Sequence, residues 1–237
     1  MFDRFSKSFG RTSPDGPPSA SVYRRYRVDH QALNHKIMKA TLDRAAIMVA
    51  AGALGLKGPN NVLVFDTEDE SSILMDCAFY EYRARGKNAV ERYQEEIGGK
   101  TEIERELLAA MVISSTSLFR VESVSARTCS LILSDLVNAD RAVTLMDINF
   151  SQYVKPNHLL FIRPITLASF SMTSGVAFVF PGHLESKLLE PWREPQVRGS
   201  LHKGQRAQPT SIVRYGTFFK LSKRLGVEVS FRSVDAK

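Results

Sequence analysis

The spacing of apolar residues along the chain changes near Ser114. Before that position they recur every three or four places, as at Leu33 and Ile37, which is the spacing of one face of an α-helix. After it, apolar and polar residues alternate, as from Phe119 to Glu122, with the two-residue period of a half-buried strand. The change of period predicts a helical part followed by a β part.

The helical part is predicted to contain four helices, over about 29–52, 67–85, 89–97 and 101–113. Asp29 is the expected N-cap of the first helix, because its side chain can accept hydrogen bonds from the free amides of the first turn. Thr101 and Glu104 match a capping box, in which two side chains reciprocally satisfy free backbone amides. The chain from residue 30 to residue 113 is therefore expected to be almost wholly helical.

The β part is predicted to hold six short strands between residues 117 and 181, with turn residues between them. The Thr-Ser-Gly segment at 173–175 is the predicted turn before the last strand. Short strands at this spacing are typical of a compact antiparallel barrel or sandwich. The predicted class is α+β, with a helical N-terminal part packed on a small antiparallel β barrel.

The chain of 237 residues is long enough to bury a sizeable core, and its sequence divides into four segments. In order they are a basic, Pro- and Ser-rich extension over 1–28, the helical part over 29–116, the barrel over 117–181, and a region over 182–237 that holds a basic linker, an amphipathic helix at about 210–225 and a terminal strand.

The net charge of +7 is concentrated at the two ends of the chain. Residues 1–28 carry six Lys or Arg against two acidic residues, and residues 187–237 carry eleven against four, whereas the region between them is slightly acidic. Basic ends favour an anionic partner such as nucleic acid, a membrane surface or an acidic protein. The predicted nucleic-acid contacts are Arg24, Arg25, Arg27, Arg198, Lys203, Arg206, Lys220, Lys223 and Arg224.

Two interpretations are open for the cluster Tyr23-Arg24-Arg25-Tyr26-Arg27. Its aromatic rings could stack on bases while its arginines pair with phosphates. Equally, the two tyrosines could pack on the domain while the arginines stay in water.

The helix predicted at about 210–225 has an apolar side and a basic side. Tyr215, Phe218 and Phe219 fall on the apolar side. An amphipathic helix of this kind can lay its apolar side in the groove of a partner, so these three residues are the predicted partner-docking residues.

Two groups of carboxylates are candidates for chemistry. Asp66 and Asp69 belong to an acidic cluster at the start of the second predicted helix, where the helix dipole favours negative charge. Asp135 and Asp147 lie at strand ends and turns, where aspartate is common. Gly-x-Ser-x-Gly elements, phosphate loops and dinucleotide fingerprints are absent from the sequence. We therefore predict no catalytic, cofactor-binding or metal-binding residue.

The cysteines and the longest apolar stretch favour a cytoplasmic protein without a transmembrane segment. Cys77 and Cys129 are too few for a disulfide framework or a self-contained zinc site. The stretch from Ala45 to Leu56 is too short to span a bilayer. The N-terminus has no continuous apolar core of the kind that signal peptides use.

Six short elements occur in order between about residues 76 and 181: Tyr80-Glu81-Tyr82-Arg83, Val90-Glu91-Arg92-Tyr93, Glu104-Arg105-Glu106-Leu107-Leu108, Ser117-Leu118-Phe119-Arg120-Val121, Ser134-Asp135-Leu136 and Thr173-Ser174-Gly175. In this order they resemble an uncharacterised bacterial module that is often found near a small zinc motif called SEC-C. The zinc motif needs closely spaced cysteines, which this chain lacks. The resemblance implies a helix-plus-barrel fold and a bacterial cytosolic setting, and it carries over no catalytic residue.

These observations predict a non-enzymatic binding or adaptor protein that contacts nucleic acid or a nucleoprotein complex through its basic ends, by neutralising phosphates. The second alternative is a protein-interaction subunit of a larger assembly that docks by its C-terminal helix. The third is a hydrolase or nuclease that uses the carboxylates at the strand ends.

Overall fold

The computed structural model describes residues 19–139, 141–193 and 210–227. Within these residues the chain forms eight α-helices and five β-strands, and the predicted α+β class is confirmed. The helices are α1 (Ala20–Thr41), α2 (Arg44–Leu54), α3 (Asp69–Tyr80), α4 (Ala89–Glu96), α5 (Glu102–Ile113), α6 (Phe150–Tyr153), α7 (Glu185–Arg193) and α8 (Thr210–Leu225). The strands are β1 (Ser117–Ser125), β2 (Ser130–Asp135), β3 (Ala142–Met146), β4 (Leu159–Thr166) and β5 (Ser171–Phe180).

The five strands close into a barrel in the order β1-β2-β3-β5-β4. Four neighbouring pairs are antiparallel, as predicted, but β3 and β5 run parallel, with Leu145 opposite Ser171. A closed ring with an odd number of strands cannot alternate direction at every step, so one pair has to be parallel. The prediction of a wholly antiparallel barrel is corrected at this pair.

The last two predicted strands are one continuous strand. The predicted turn at 173–175 lies inside β5, which runs from Ser171 to Phe180. Gly175 has φ +112°, a conformation that glycine adopts without a steric penalty. The strand therefore bends at this glycine and continues, so the barrel has five strands rather than six.

The first helix begins at Ala20 with Ser19 as its N-cap, and not at Asp29 as predicted. Tyr23 belongs to the same buried face as Leu33 and Ile37, because its position continues their helical spacing towards the N-terminus. The cluster of tyrosines and arginines therefore lies on the first turns of a helix.

The helix predicted over 29–52 is two helices separated at Leu42 and Asp43. The Asp43 side chain accepts a hydrogen bond from the Ala46 amide at 2.7 Å and caps α2. The Thr41 hydroxyl contacts both the Ile37 and Ala89 carbonyl oxygens, which ties the end of α1 to α4. An aspartate in the middle of a helical pattern is thus an N-cap here.

Helices cover the barrel on two sides, and strand β4 connects the layers. The side chains of Leu160 and Ile162 belong to the cluster inside the barrel, which Phe150 of α6 also fills. Leu159 and Phe161, on the opposite face of β4, pack against α2, α3 and α8. A third cluster joins α1, α4 and α5 to the ends of β4 and β5. Among the described residues, no helix has the length and apolar character needed to cross a membrane.

Candidate functional site

Arg27, one of the predicted nucleic-acid contacts, uses its guanidinium for hydrogen bonds within the protein. Its Nε donates to the Tyr23 hydroxyl at 2.8 Å, and its Nη1 donates to the Thr173 carbonyl at 2.7 Å. Its Nη2 contacts the Thr173 hydroxyl and lies 3.1 Å from the Asp147 carboxylate. All three nitrogens therefore have protein partners, and the guanidinium is not presented to a phosphate.

The other predicted basic contacts fall into three groups. Lys223 is paired with Asp66 and with the buried Glu70. Four side chains are exposed and make no ion pair or side-chain hydrogen bond with the described part of the chain: Arg24, Arg25, Lys220 and Arg224. Three positions, Arg198, Lys203 and Arg206, lie outside the described residues.

The predicted docking residues of α8 are buried. Tyr215, Phe218 and Phe219 are 1%, 0% and 3% exposed. Phe218 stacks on Phe161 of β4 with a centroid distance of 4.1 Å, and the Tyr215 hydroxyl donates to Asp76 at 2.8 Å. In this structure the apolar face of α8 is used within the protein.

Three of the four candidate carboxylates have structural partners, and Asp69 is exposed in the first turn of α3. Asp135 accepts from the Ser117 hydroxyl at 2.6 Å and from the amides that follow β2. Asp147 accepts from the Phe150 amide at the start of α6 and pairs with Arg27. Asp66 is exposed and pairs with Lys223. Within the described residues, no group of three or more His, Cys, Asp or Glu side chains is placed to hold a metal ion.

A cleft that the sequence analysis did not identify lies between α1, α3 and β5. Its volume is about 530 Å³, which is within the usual range for small-molecule sites. Exposed polar side chains form its rim: Gln31, His35, Ser71 and Ser72. Apolar side chains form its wall: Met38, Met75, Phe79 and Val176. Buried polar side chains form its floor: His30, Asp76, Tyr80 and Ser174.

The floor residues come from α1, α3 and β5, and the local geometry of each element turns its polar side chains towards the cleft. On α1, His30 and Asn34 lie four residues apart and share one helix face, and on α3 Asp76 and Tyr80 do the same. On β5 the cleft meets the bulge next to Ser174, where the pairing with β4 shifts register. A bulge commonly redirects a side chain beside a functional site.

Buried polar atoms of the cleft have no partner among the described residues. His30, Tyr80 and Ser174 are 2%, 4% and 7% exposed, yet His30 Nε2 and Tyr80 Oη make no hydrogen bond with the described residues. Ser174 Oγ makes no hydrogen bond of ordinary geometry, although it lies close enough to Asp76 to lower the pKa of that carboxyl. The Oδ1 atom of Asn34 is also without a partner. Because buried polar groups in folded proteins are almost always satisfied by protein or ordered water, this cluster makes the cleft the candidate site of the described residues.

The ionisation of the floor is set by burial. Burial and the nearby Arg27 charge lower the pKa of His30 to about 3, so the imidazole is neutral at neutral pH. Burial raises the pKa of Tyr80, so its hydroxyl keeps its proton. Burial also raises the pKa of Asp76, while Arg163, Ser174 and the Tyr215 hydroxyl oppose that rise. Among the described residues that line the cleft, Asp76 is the one carboxyl.

A second buried pair lies behind the floor. Arg163, which is opposite the bulge of β5, pairs with Glu81, and both side chains are almost completely buried. The Arg163 Nη1 also donates to the Ser114 carbonyl at 2.7 Å, and its guanidinium lies over the Tyr80 ring at 4.1 Å. The pair connects the end of α3 and the end of α5 to β4.

Comparison with known proteins identifies a family but no characterised relative. No curated protein and no solved structure matches the chain. A sequence model described as a family of unknown function, DUF7986, matches residues 18–232. Because this match covers almost all of the helices and the whole barrel, the chain belongs to the family of unknown function DUF7986.

Proposed function

We propose that this protein is a non-enzymatic binding protein whose cleft between α1, α3 and β5 holds a small polar ligand. One observation carries the proposal: His30 and Tyr80 line one cavity together with Ser174, both are more than nine-tenths buried, and each has a polar atom without a hydrogen-bond partner among the described residues. Leaving such groups unsatisfied costs about 1–3 kcal/mol each, and a ligand with matching polar atoms would offset that cost.

The lining of the cleft fits a small molecule with one polar end and one apolar face. Met38, Met75 and Phe79 supply apolar contact on one side, while the polar groups are gathered on the floor. Ligand sites in proteins usually combine an apolar lining with a few placed polar groups.

The residues that line the cleft fit ligand binding better than they fit a hydrolytic active site. Ser174, His30 and Asp76 are the side-chain types of a nucleophilic triad, and all three line the cavity. However, a triad places the histidine between the serine and the carboxylate. Here the Ser174 hydroxyl lowers the pKa of Asp76, and the charge that lowers the pKa of His30 is that of Arg27 and not that of Asp76. A histidine with a pKa of about 3 is a weak general base at neutral pH.

The test is native mass spectrometry of the full chain purified from its native cells. We expect a bound small molecule that is released on denaturation. Ser174→Ala should reduce its occupancy. Ser171→Ala on the same strand should not, because the Ser171 hydroxyl contacts Thr166 and does not line the cleft. Equal occupancy in both variants, or a folded chain that carries nothing and binds no probe at the cleft, would contradict the proposal.

A hydrolysis assay separates binding from catalysis at the cleft. The full chain is incubated with 4-nitrophenyl acetate, and Ser174→Ala and His30→Gln serve as the cleft variants. We expect no turnover above that of the variants. Turnover that both substitutions abolish, with the fold intact, would favour the hydrolase.

Nucleic-acid contact is a second candidate function. The observation that favours it is that Arg24 and Arg25 on α1, and Lys220 and Arg224 on α8, are exposed and are not used in ion pairs within the described residues. The test is binding to single- and double-stranded DNA and RNA over a range of salt concentrations. If these side chains neutralise phosphates, the double variant Arg24→Ala with Arg25→Ala should lower the slope of log K against log salt by about 0.7 to 0.9 for each phosphate that is no longer neutralised. Absence of binding at low salt would remove this candidate.

The resemblance of residues 76–181 to a bacterial module found near SEC-C zinc motifs supports a bacterial, cytoplasmic setting for either role. Identification of the proteins that copurify with the full chain tests this setting.

A further inference from the structure

We infer that the ligand of the cleft is a small amine whose ammonium group is held against Asp76. This inference rests on the proposed binding function and names the chemistry of its ligand. It follows from three features of the described residues. Asp76 is a buried carboxyl without an ion pair, the nearby guanidinium groups already have other partners, and the cleft is lined by both polar acceptors and apolar side chains.

The buried charges around the cleft include a carboxyl without an ion-pair partner. Arg27 pairs with Asp147, and Arg163 pairs with Glu81. Asp76, which is 6% exposed, makes no ion pair with the described part of the chain. It accepts a hydrogen bond from the Tyr215 hydroxyl at 2.8 Å, and the Arg163 charge and the Ser174 hydroxyl also favour its ionised form. A buried carboxylate without a counter-ion is unfavourable, so a cation at this point would stabilise it.

Arg214, another guanidinium near these buried charges, does not supply the counter-ion for Asp76. Arg214 on α8 makes no ion pair with the described residues, its Nε has no partner, and it lies over the Trp192 ring at 4.9 Å. The acidic group that acts on Arg214 is Glu81. The positive charge missing beside Asp76 is therefore left for a ligand.

An anionic ligand has no comparable site in the cleft. Arg27 is the cationic side chain of the described lining, and its three nitrogens already donate to Tyr23, Thr173 and Asp147. The His30 imidazole is neutral at neutral pH because burial and Arg27 lower its pKa to about 3. A phosphate or carboxylate entering the cleft would meet Asp76 without a free positive charge to offset the repulsion.

The polar floor matches the three N–H donors of an ammonium group. Asp76, the Ser174 hydroxyl and the Asn34 carbonyl oxygen are acceptors that line the same cavity. Met38, Met75 and Phe79 line the same cavity and can cover an apolar group next to the amine. The inferred ligand is therefore an amine with a compact apolar or aromatic body.

The experiment compares three probes that share a ring and differ in head-group charge: 2-phenylethylamine, 2-phenylethanol and phenylacetate. Affinities for the full chain are measured by titration calorimetry at pH 7.5. We expect the amine to bind at least tenfold more tightly than the alcohol, and phenylacetate to bind more weakly than both. Amide shifts in NMR spectra should place the amine next to His30 and Ser174.

The variant Asp76→Asn separates charge from shape, because asparagine keeps the size and an acceptor for Tyr215. We expect it to abolish the tenfold preference for the amine and to leave the affinity for 2-phenylethanol within about twofold. Ser174→Ala, the second variant, should weaken all three probes.

The outcomes distinguish this inference from the proposed function. Probes that bind at the cleft with no preference for the amine, or a preference that persists in Asp76→Asn, would overturn the amine and leave the binding function. No binding of any probe at the cleft would overturn the amine, and it would overturn the binding function as well if the chain from native cells also carries no small molecule. Because the comparison of the three probes uses the unaltered chain, it decides the inference even if Asp76→Asn fails to fold.

Discussion

The guanidinium of Arg27 lies 3.1 Å from the carboxylate of Asp147, although 120 residues separate them in the chain. Arg27 is on the first turns of α1, and Asp147 follows β3 and caps α6. The same guanidinium also contacts the Thr173 backbone on β5. One side chain therefore connects the first helix to β5 and to the segment between β3 and α6, beside the cleft.

Replacing Arg27 with methionine should destabilise the fold by about 3–5 kcal/mol, because it leaves the largely buried Asp147 carboxylate without its counter-ion. Urea denaturation measures the change. Arg24→Met, an exposed position on the same helix, is the matched control and should change stability by less than about 0.5 kcal/mol. Equal effects of the two substitutions would show that the Arg27 contacts do not support the fold.

His30 should make the protein sensitive to acid. Its pKa is about 3 in the folded protein and 6.5 as the ordinary value, so the unfolded chain binds the proton more tightly between these limits. Stability then decreases as the pH falls from about 6.5 towards 3, by up to about 5 kcal/mol in total. Unfolding free energies measured from pH 7 to pH 4 should fall less steeply in His30→Gln than in the wild type.

His35→Gln is the control for this measurement, since His35 is exposed on the same helix. It should keep the acid dependence of the wild type. A His30→Gln protein with the wild-type pH dependence would contradict the buried, neutral imidazole.

Truncating Phe218 should weaken the packing of α8 on the barrel and lower the free energy of unfolding. The side chain is fully buried and stacks on Phe161 at 4.1 Å, so Phe218→Ala should cost about 3–5 kcal/mol. Val213 on the same helix is 37% exposed, and Val213→Ala should cost much less. Chemical denaturation compares the two. A small effect of Phe218→Ala would indicate that the apolar face of α8 is free for a partner.

Two glycines should respond to alanine in opposite directions. A Cβ at Gly216 of α8 would lie 2.3 Å from the Ala53 carbonyl oxygen of α2, so Gly216→Ala should separate the two helices and lower the melting temperature. A Cβ at Gly52 of α2 would meet nothing within 4 Å. Gly52→Ala should therefore stabilise the helix by about 0.5–1 kcal/mol. Calorimetric melting of both variants checks the signs, and a stabilised Gly216→Ala would contradict the close approach.

The periodicity of the sequence was sufficient for the fold class and for most elements. The helix after Thr101 and the helix at 210–225 lie where the apolar spacing predicts them, because a local amphipathic pattern decides local structure when one face is buried. The switch of period near Ser114 also coincides with the end of α5 and the start of β1. These features depend on neighbouring residues only.

The register of the barrel depended on contacts that spacing does not contain. The residue types from Thr173 to Gly175 favour a turn, but pairing with β4 on both sides of a bulge keeps them within β5. Likewise, the spacing of Tyr215, Phe218 and Phe219 predicts an apolar face without saying what covers it. The barrel strand β4 covers it here.

The cleft exists because distant segments of the chain pack together. Its floor comes from His30, from Asp76 and Tyr80, and from Ser174, which are far apart in the chain and meet because α1 and α3 pack beside β5. One local signal was present: Asp76 is a charged residue next to the apolar stripe of Leu74 and Cys77. Short-range patterns were enough to specify most of the helices and most of the strands. Which polar groups are buried together and have no partner follows from the folded chain, because burial is a property of long-range packing.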